Sequence, residues 1–322
     1  MTDLLSASGD AANADVEVLV VGVFSGEDAP VLPESLSGVD AEFDGRLAAQ
    51  LAALGNTGAA GSLTRLPAPE GLHAGLVYAV GLGDADDLDD ETLRRAAGTA
   101  VRAAFGKATV AIAFEGDPEA TATGAVLGAY KYEGFKTDGG GDAAPESIAV
   151  YGASEAAAAR ARVLGESVAL VKDWVSSPRT CCARRRSPSR SSRPPSRRAW
   201  RSRSSTPRRS RRAATAACSP SAAGRPRSRA WCGCRTGPRA RASTSRSSAR
   251  ASRSTPAATR SPAAGMWEMK YDMAGAAAVV GATVAAAKLG LNVNVTCTVA
   301  LAENLVSGSA YRPPTCSPSA TA

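Results

Sequence analysis

Residues 176–265 contain no Leu, Ile, Val, Phe, Met or Tyr and no acidic side chain. They carry 24 arginines among Ser, Pro, Thr, Ala, Cys, Gly and Trp. Ordering a backbone costs roughly 1–2 kcal/mol per residue, and buried apolar surface must offset that cost. A stretch this long without branched aliphatics has too little to bury, so it is expected to form no domain of its own. The block separates two parts of the 322-residue chain that read as ordinary protein. Residues 1–175 hold 11 basic and 27 acidic side chains, and residues 266–322 hold 3 of each. The formal net charge of +8 therefore averages an acidic first half with an arginine-only middle. No run approaches the roughly 18 apolar residues of a membrane span, so no membrane partner is expected. The N-terminal MTDLLSASGDAANAD is acidic and lacks the basic-then-apolar order of a secretory signal. With no export signal in view, Cys181, Cys182, Cys218, Cys232 and Cys234 are expected to be reduced and unpaired.

Residues 1–175 alternate strand and helix patterns. Val16–Phe24, Leu76–Gly83, Thr109–Phe114 and Ser147–Ala153 suit buried strands. Asp89–Phe105 opens on acidic residues and stops at Gly106, which matches a helix dipole and a glycine stop. Pro118–Phe135 and Ser154–Val175 are alanine-rich and amphipathic. The expected fold class is α/β, with an N-terminal, mainly parallel sheet flanked by helices. Past the arginine block, Met266–Gly290 reads as a helix rich in small residues, and Val293–Leu301 reads as a strand.

Several features invite a chemical reading and fail it. Gly81-Leu-Gly83 closes a strand like a phosphate-binding turn, but Asp86 occupies the place of the third glycine. Asp84–Glu91 lacks the spacing of a calcium loop and reads as a solvated helix entrance. His73, the one histidine, reads as a loop residue, which argues against a Ser-His-Asp triad. Cys181-Cys182 and Cys232-Gly-Cys234 have neither a second spaced pair nor a nearby histidine to complete a metal site.

The ordered C-terminal residues carry a resemblance. Met269-Lys-Tyr-Asp-Met-Ala-Gly-Ala-Ala277, Ala302-Glu-Asn304 and Ser307-Gly-Ser-Ala-Tyr-Arg-Pro313 follow one another as in the catalytic domain of leucyl (cytosol) aminopeptidases. Residues 1–175 are similar in pattern to that family's N-terminal α/β domain, ending at Val171-Lys-Asp-Trp-Val175. The resemblance implies a metallo-aminopeptidase that releases N-terminal residues from peptides and assembles as a cytoplasmic homohexamer. It also implies two divalent ions, zinc or manganese, that activate a water. It divides the chain into the N-terminal domain 1–175, the Arg/Ser/Pro-rich segment 176–262, a fragment 263–313 of a truncated α/β metallopeptidase domain, and a tail 314–322. Of the family's metal-ligand motifs only Met-Lys-x-Asp-Met is present, which makes Asp272 the one candidate metal ligand. An aspartate ahead of a helix also serves as a cap or dipole partner, and Lys270 reads as a solvated charge. No residue is assigned a catalytic role.

The missing motifs are legible in another reading frame. Let each codon take the last base of one triplet and the first two of the next. Ser248, Ala249, Arg250 (as AGG) and Ala251 then permit Val-Gly-Lys-Gly. Ser252 to Ser261 permit Ile-(Thr/Ser)-Phe-Asp-Ser-Gly-Gly-Tyr-Ser-Leu, so the line spells the family's absent metal-binding stretch. From Thr315 the same shift permits Asp-Val-Leu-Thr, matching the family's continuation after Arg-Pro-Gly. The expectation is a frame shift near residue 176, its restoration near 261 and another shift near 314. On that reading the chain is inactive. The competing reading takes the arginine block, with Trp200 and Trp231, as a disordered segment that binds nucleic acid without sequence preference.

Overall fold

The computed structural model describes residues 2–134, 141–177, 201–205, 230–235, 244–254 and 271–304, with backbone alone over 201–205, 230–235, 244–254 and 300–304. The chain divides into two compact units, Met1–Glu166 and Ser167–Ala322.

In the first unit the strands are β1 (Asp3–Ala7), β2 (Val16–Phe24), β3 (Leu63–Pro67), β4 (Ala74–Gly83), β5 (Thr109–Ala113) and β6 (Ser147–Tyr151). The helices are α1 (Ser37–Glu42), α2 (Leu47–Ala53), α3 (Asp90–Ala103), α4 (Pro118–Gly128) and α5 (Glu155–Ser176), which runs on into the second unit. The sheet order is β1-β6-β5-β2-β4-β3, and only the β3–β4 pair is antiparallel. The chain is thus α/β with a mainly parallel sheet, as its alternating pattern requires. β2 lies at the centre because its valine run can be buried on both faces. Val18 and Val20 join the core beneath α3 and α4, whereas Leu19, Val21 and Val23 pack with Val39, Leu47 and Leu51 of α1 and α2.

Two edge strands escape the sequence reading. β1 and β3 each bury a single residue, Leu4 and Leu66, so neither shows a periodicity. The helix expected over 118–135 ends at Gly128, a residue that propagates helix poorly, and Phe135 lies outside the described residues.

The loop between α2 and β3 closes over the carboxyl ends of β2 and β4 and is anchored by buried Asn56. Its carboxamide oxygen accepts from the Gly58 amide at 2.8 Å and the Ser62 hydroxyl at 3.3 Å, and its nitrogen donates to Thr64 Oγ1 at 3.0 Å. Gly58 is required at the turn. Its φ is +77°, and a Cβ there would lie 2.0 Å from the Phe24 carbonyl oxygen.

In the second unit, β7 (Arg201–Ser205), β8 (Ala230–Arg235), β9 (Thr244–Ser254), α6 (Ala274–Lys288) and β10 (Asn294–Asn304) follow α5. The strands form a sheet ordered β7-β8-β10-β9, in which β9 and β10 run parallel and the other pairs antiparallel. α6 packs on this sheet, with Ala276, Cys297 and Val299 buried beside Met273, Val279 and Val280. The expected helix from Met266 begins as an α-helix only at Ala274, behind a single 3-10 turn at 271–273, and 266–270 lie outside the described residues.

The composition argues against folded elements over 176–262, yet β7, β8 and β9 lie there. Strand pairing uses backbone groups that serine, threonine and arginine supply as well as valine does. The prolines of the block fall outside all three strands. These strands also do not stand alone, because β8 and β9 pair with the apolar β10. The remaining positions of 176–262, with Cys181, Cys182, Cys218 and Trp200, lie outside the described residues apart from Ser176–Ser177 at the end of α5, as does the tail 314–322.

Candidate active site

In the first unit, the features set aside above have structural roles. Where Gly81 lacks a side chain, the carbonyl oxygens of Ala59 and Gly58 move in; a Cβ there would meet them at 2.0 and 2.7 Å. Protein therefore fills the place above the Gly81–Gly83 turn. Asp89 caps α3, accepting from the Thr92 amide at 2.7 Å. Hydrogen bonds from Thr92 hold its carboxyl below the usual range. Hydrogen bonds from Arg95 and then Arg94 lower Glu91 in the same way. The segment is a helix entrance, as expected. His73 is exposed at the bend before β4. Glu119 on α4 accepts from Arg160 on α5, which lowers the glutamate and raises the arginine. Tyr151 is raised chiefly by burial, then by Asp10. Each shift belongs to a cap, an ion pair or a packed ring.

The candidate site lies in the second unit and is built from β9, β10 and the start of α6. Asp272 sits in the 3-10 turn directly before the helix, exposed at its amino end. Met273 is the N-cap and makes no side-chain capping bond, so α6 starts without the usual polar cap. β10 ends in Ala302-Glu303-Asn304, and these residues register with Ser252, Arg253 and Ser254 of β9. The register continues back through Ser248, Ala249, Arg250 and Ala251 against Thr298 to Leu301. Those are the positions whose codons, shifted by one base, permit Val-Gly-Lys-Gly.

Two motifs recognised separately in the sequence thus end side by side, at the carboxyl ends of adjacent parallel strands. Open α/β sheets bind ligands at such ends. Nothing in the visible sequence of β9 announces this pairing; only the register with β10 brings it out. Lys270 and the Ser307–Pro313 motif lie outside the described residues.

The residues present do not fit a pair of metal ions. Among the described residues no group of three or more His, Cys, Asp and Glu lies together. Beyond residue 175 the whole sequence offers three carboxylates, Glu268, Asp272 and Glu303, and no histidine. Two hard or borderline cations need several anionic first neighbours, and one motif aspartate does not supply them.

Fold and site define an α/β chain whose second unit carries part of a peptidase-like strand-and-helix arrangement. Comparison with known proteins makes the family definite. The N-terminal domain of the cytosol aminopeptidase family matches residues 20–139, and the catalytic domain of that family matches residues 259–317. A probable cytosol aminopeptidase of Streptomyces griseus subsp. griseus is 36% identical over 368 residues, covering 97% of this chain and 66% of that protein. Another, from Leifsonia xyli subsp. xyli, is 36% identical over 341 residues and covers 96% and 62%. Among solved structures, a mutant of tomato leucine aminopeptidase superposes with a TM-score of 0.68 at 18% identity, covering 98% of this chain and 65% of that one. The bottromycin maturation enzyme BotP in complex with Mn gives 0.63 at 20% identity, covering 92% and 62%. At such identities these structures show the fold alone. The chain belongs to the cytosol (leucyl) aminopeptidase family, spans 66% or less of the length of these relatives, and represents the catalytic domain only in part.

Proposed function

We propose that this chain carries the coding text of a cytoplasmic leucyl aminopeptidase and that the polypeptide as written does not catalyse peptide hydrolysis. The complete enzyme of this reading is a metallo-aminopeptidase, a homohexamer that removes N-terminal residues from peptides with water activated by two zinc or manganese ions. In this chain Asp272 is the one residue of the ligand set, and it holds no metal pair. The observation that supports the reading is the register of β9 with β10, which sets positions 248–254 beside 298–304, the last three of which are Ala302-Glu303-Asn304. The missing ligand motif begins there when the codons are read one base earlier. The segmentation at 175, 262 and 313 belongs to the same reading.

Release of p-nitroaniline from leucine p-nitroanilide, with manganese added to the pure 322-residue product, tests it. We expect no turnover above the metal-only blank, and robust turnover would overturn inactivity. A gene that reads Val-Gly-Lys-Gly in one uninterrupted frame would show that the shift is absent from the DNA. A shift confirmed in the DNA would mark a true lesion.

A further inference from the structure

The second unit's sheet brings together two cysteines that lie far apart in sequence. In the antiparallel pair of β8 and β10, Cys234 is the direct register partner of Cys297. Their cross-strand row reads Ser202, Cys234, Cys297 and Ser247, while Cys232, two positions back along β8, is the partner of Val299. Cys297 is 0% exposed and clusters with Ala276 and Val299 beside Met273, Val279 and Val280. Backbone spacing alone decides which of these thiols can be joined. Directly opposed residues of an antiparallel pair have Cα atoms about 4.5 or 5.5 Å apart, and a disulfide spans about 4.4–6.8 Å between Cα atoms. Cys232 and Cys297 are diagonal neighbours at about 7–8 Å, beyond the reach of a disulfide unless backbone moves. Cys232 and Cys234 are two positions apart on one extended strand. Their Cβ atoms are therefore about 6.6 Å apart, against the roughly 4 Å that a disulfide needs.

We propose that Cys234 and Cys297 are a redox-sensitive pair that closes into a cross-strand disulfide tying β8 to β10. Under reducing conditions the two remain thiols, in line with the sequence expectation, and an oxidising challenge joins them. The step is thiol–disulfide exchange with a small disulfide such as glutathione disulfide. The Cys234 thiolate attacks one glutathione sulfur, which forms a mixed disulfide and expels the first glutathione thiolate. Cys297, buried in the core, is the resolving group. Its sulfur attacks the Cys234 sulfur and expels the second glutathione. The two thiol protons pass to the two departing glutathiones, so two protein thiols are oxidised while one glutathione disulfide is reduced. The closed link pins a strand of the arginine block to the apolar β10. The proposal concerns the polypeptide as written and does not rest on the peptidase reading.

Equilibrating the full chain in a series of reduced and oxidised glutathione mixtures, then blocking free thiols with N-ethylmaleimide, tests it. Digestion without reductant, by trypsin and a glutamate-specific protease, separates 230–235 from 289–303 unless a disulfide joins them. Mass spectrometry should find these two peptides linked as the dominant oxidised form of Cys297, roughly tenfold above any other pairing. Cys234→Ser should abolish that species, and Cys232→Ser should leave it in place. Oxidising the chain unfolded in guanidinium should erase the preference, because register then no longer selects the partner. A link that survives Cys234→Ser, or that disappears with Cys232→Ser, would overturn the proposal. So would Cys297 joined mainly to Cys181, Cys182, Cys218 or Cys316 in the native chain, or Cys297 left unlinked across the whole glutathione series.

Discussion

Asn56 is the side chain on which the first unit's loop geometry turns. It is 3% exposed and satisfied by three partners, so removing its carboxamide leaves the buried Gly58 amide without its acceptor. Asn56→Ala should destabilise the first unit by about 1–3 kcal/mol. Hydrogen exchange on the full chain would read this as faster exchange of the β2 and β4 amides. The pairing of Glu119 with Arg160 gives a pH prediction. The folded-state pKa of Glu119 is depressed, chiefly by the Arg160 hydrogen bond. The stabilisation is therefore complete above the unfolded glutamate range and fades as pH falls through the folded value. Both side chains are more than a third exposed, so the effect is small and salt-sensitive. Arg160→Ala should return the Glu119 titration, followed by carboxyl NMR shifts, to the ordinary glutamate range. No change in the titration would show that the pair does not persist in solution.

At the scale of elements, α4 shows how much a cap decides. Asp117 accepts from the amides of Glu119 at 3.0 Å and Ala120 at 3.2 Å, and Pro118 occupies the first helical position. Asp117→Ala should cost about 1 kcal/mol, seen as a lower midpoint in urea. The central strands were legible because β2, β4 and β5 carry apolar runs buried on both faces, and α3 because its acidic start and terminal glycine bracket it. β1 and β3 were not, since a strand that buries one residue leaves no period to read. β9 was illegible for a different reason. Thr244–Ser254 has no apolar pattern in the visible frame, and its place follows only from pairing with β10. Asp272 could be found only through its flanking Met-Lys-x-Asp-Met motif, because an aspartate before a helix looks the same whether it caps or ligates.

At the scale of the whole molecule, the proposed base shift would account for charge, composition and site together. A stretch read one base out of step would carry arginine, serine and alanine in place of acidic and branched aliphatic residues, and the first half, which precedes it, would keep its acidic, alternating α/β character. The proposal is specific at the nucleotide level. A lysine codon AAG at position 250 of the shifted frame requires Ala249 to be written GCA and Arg250 to be written AGG. A glycine following it requires the final base of AGG. Sequencing the gene across codons 170–322 is the most direct test. The account predicts GCA-AGG at 249–250, with the shifted frame spelling Val-Gly-Lys-Gly-Ile through Phe-Asp-Ser-Gly-Gly. An Arg250 codon of the CGN type, or third bases over 248–261 that break the shifted line, would contradict it.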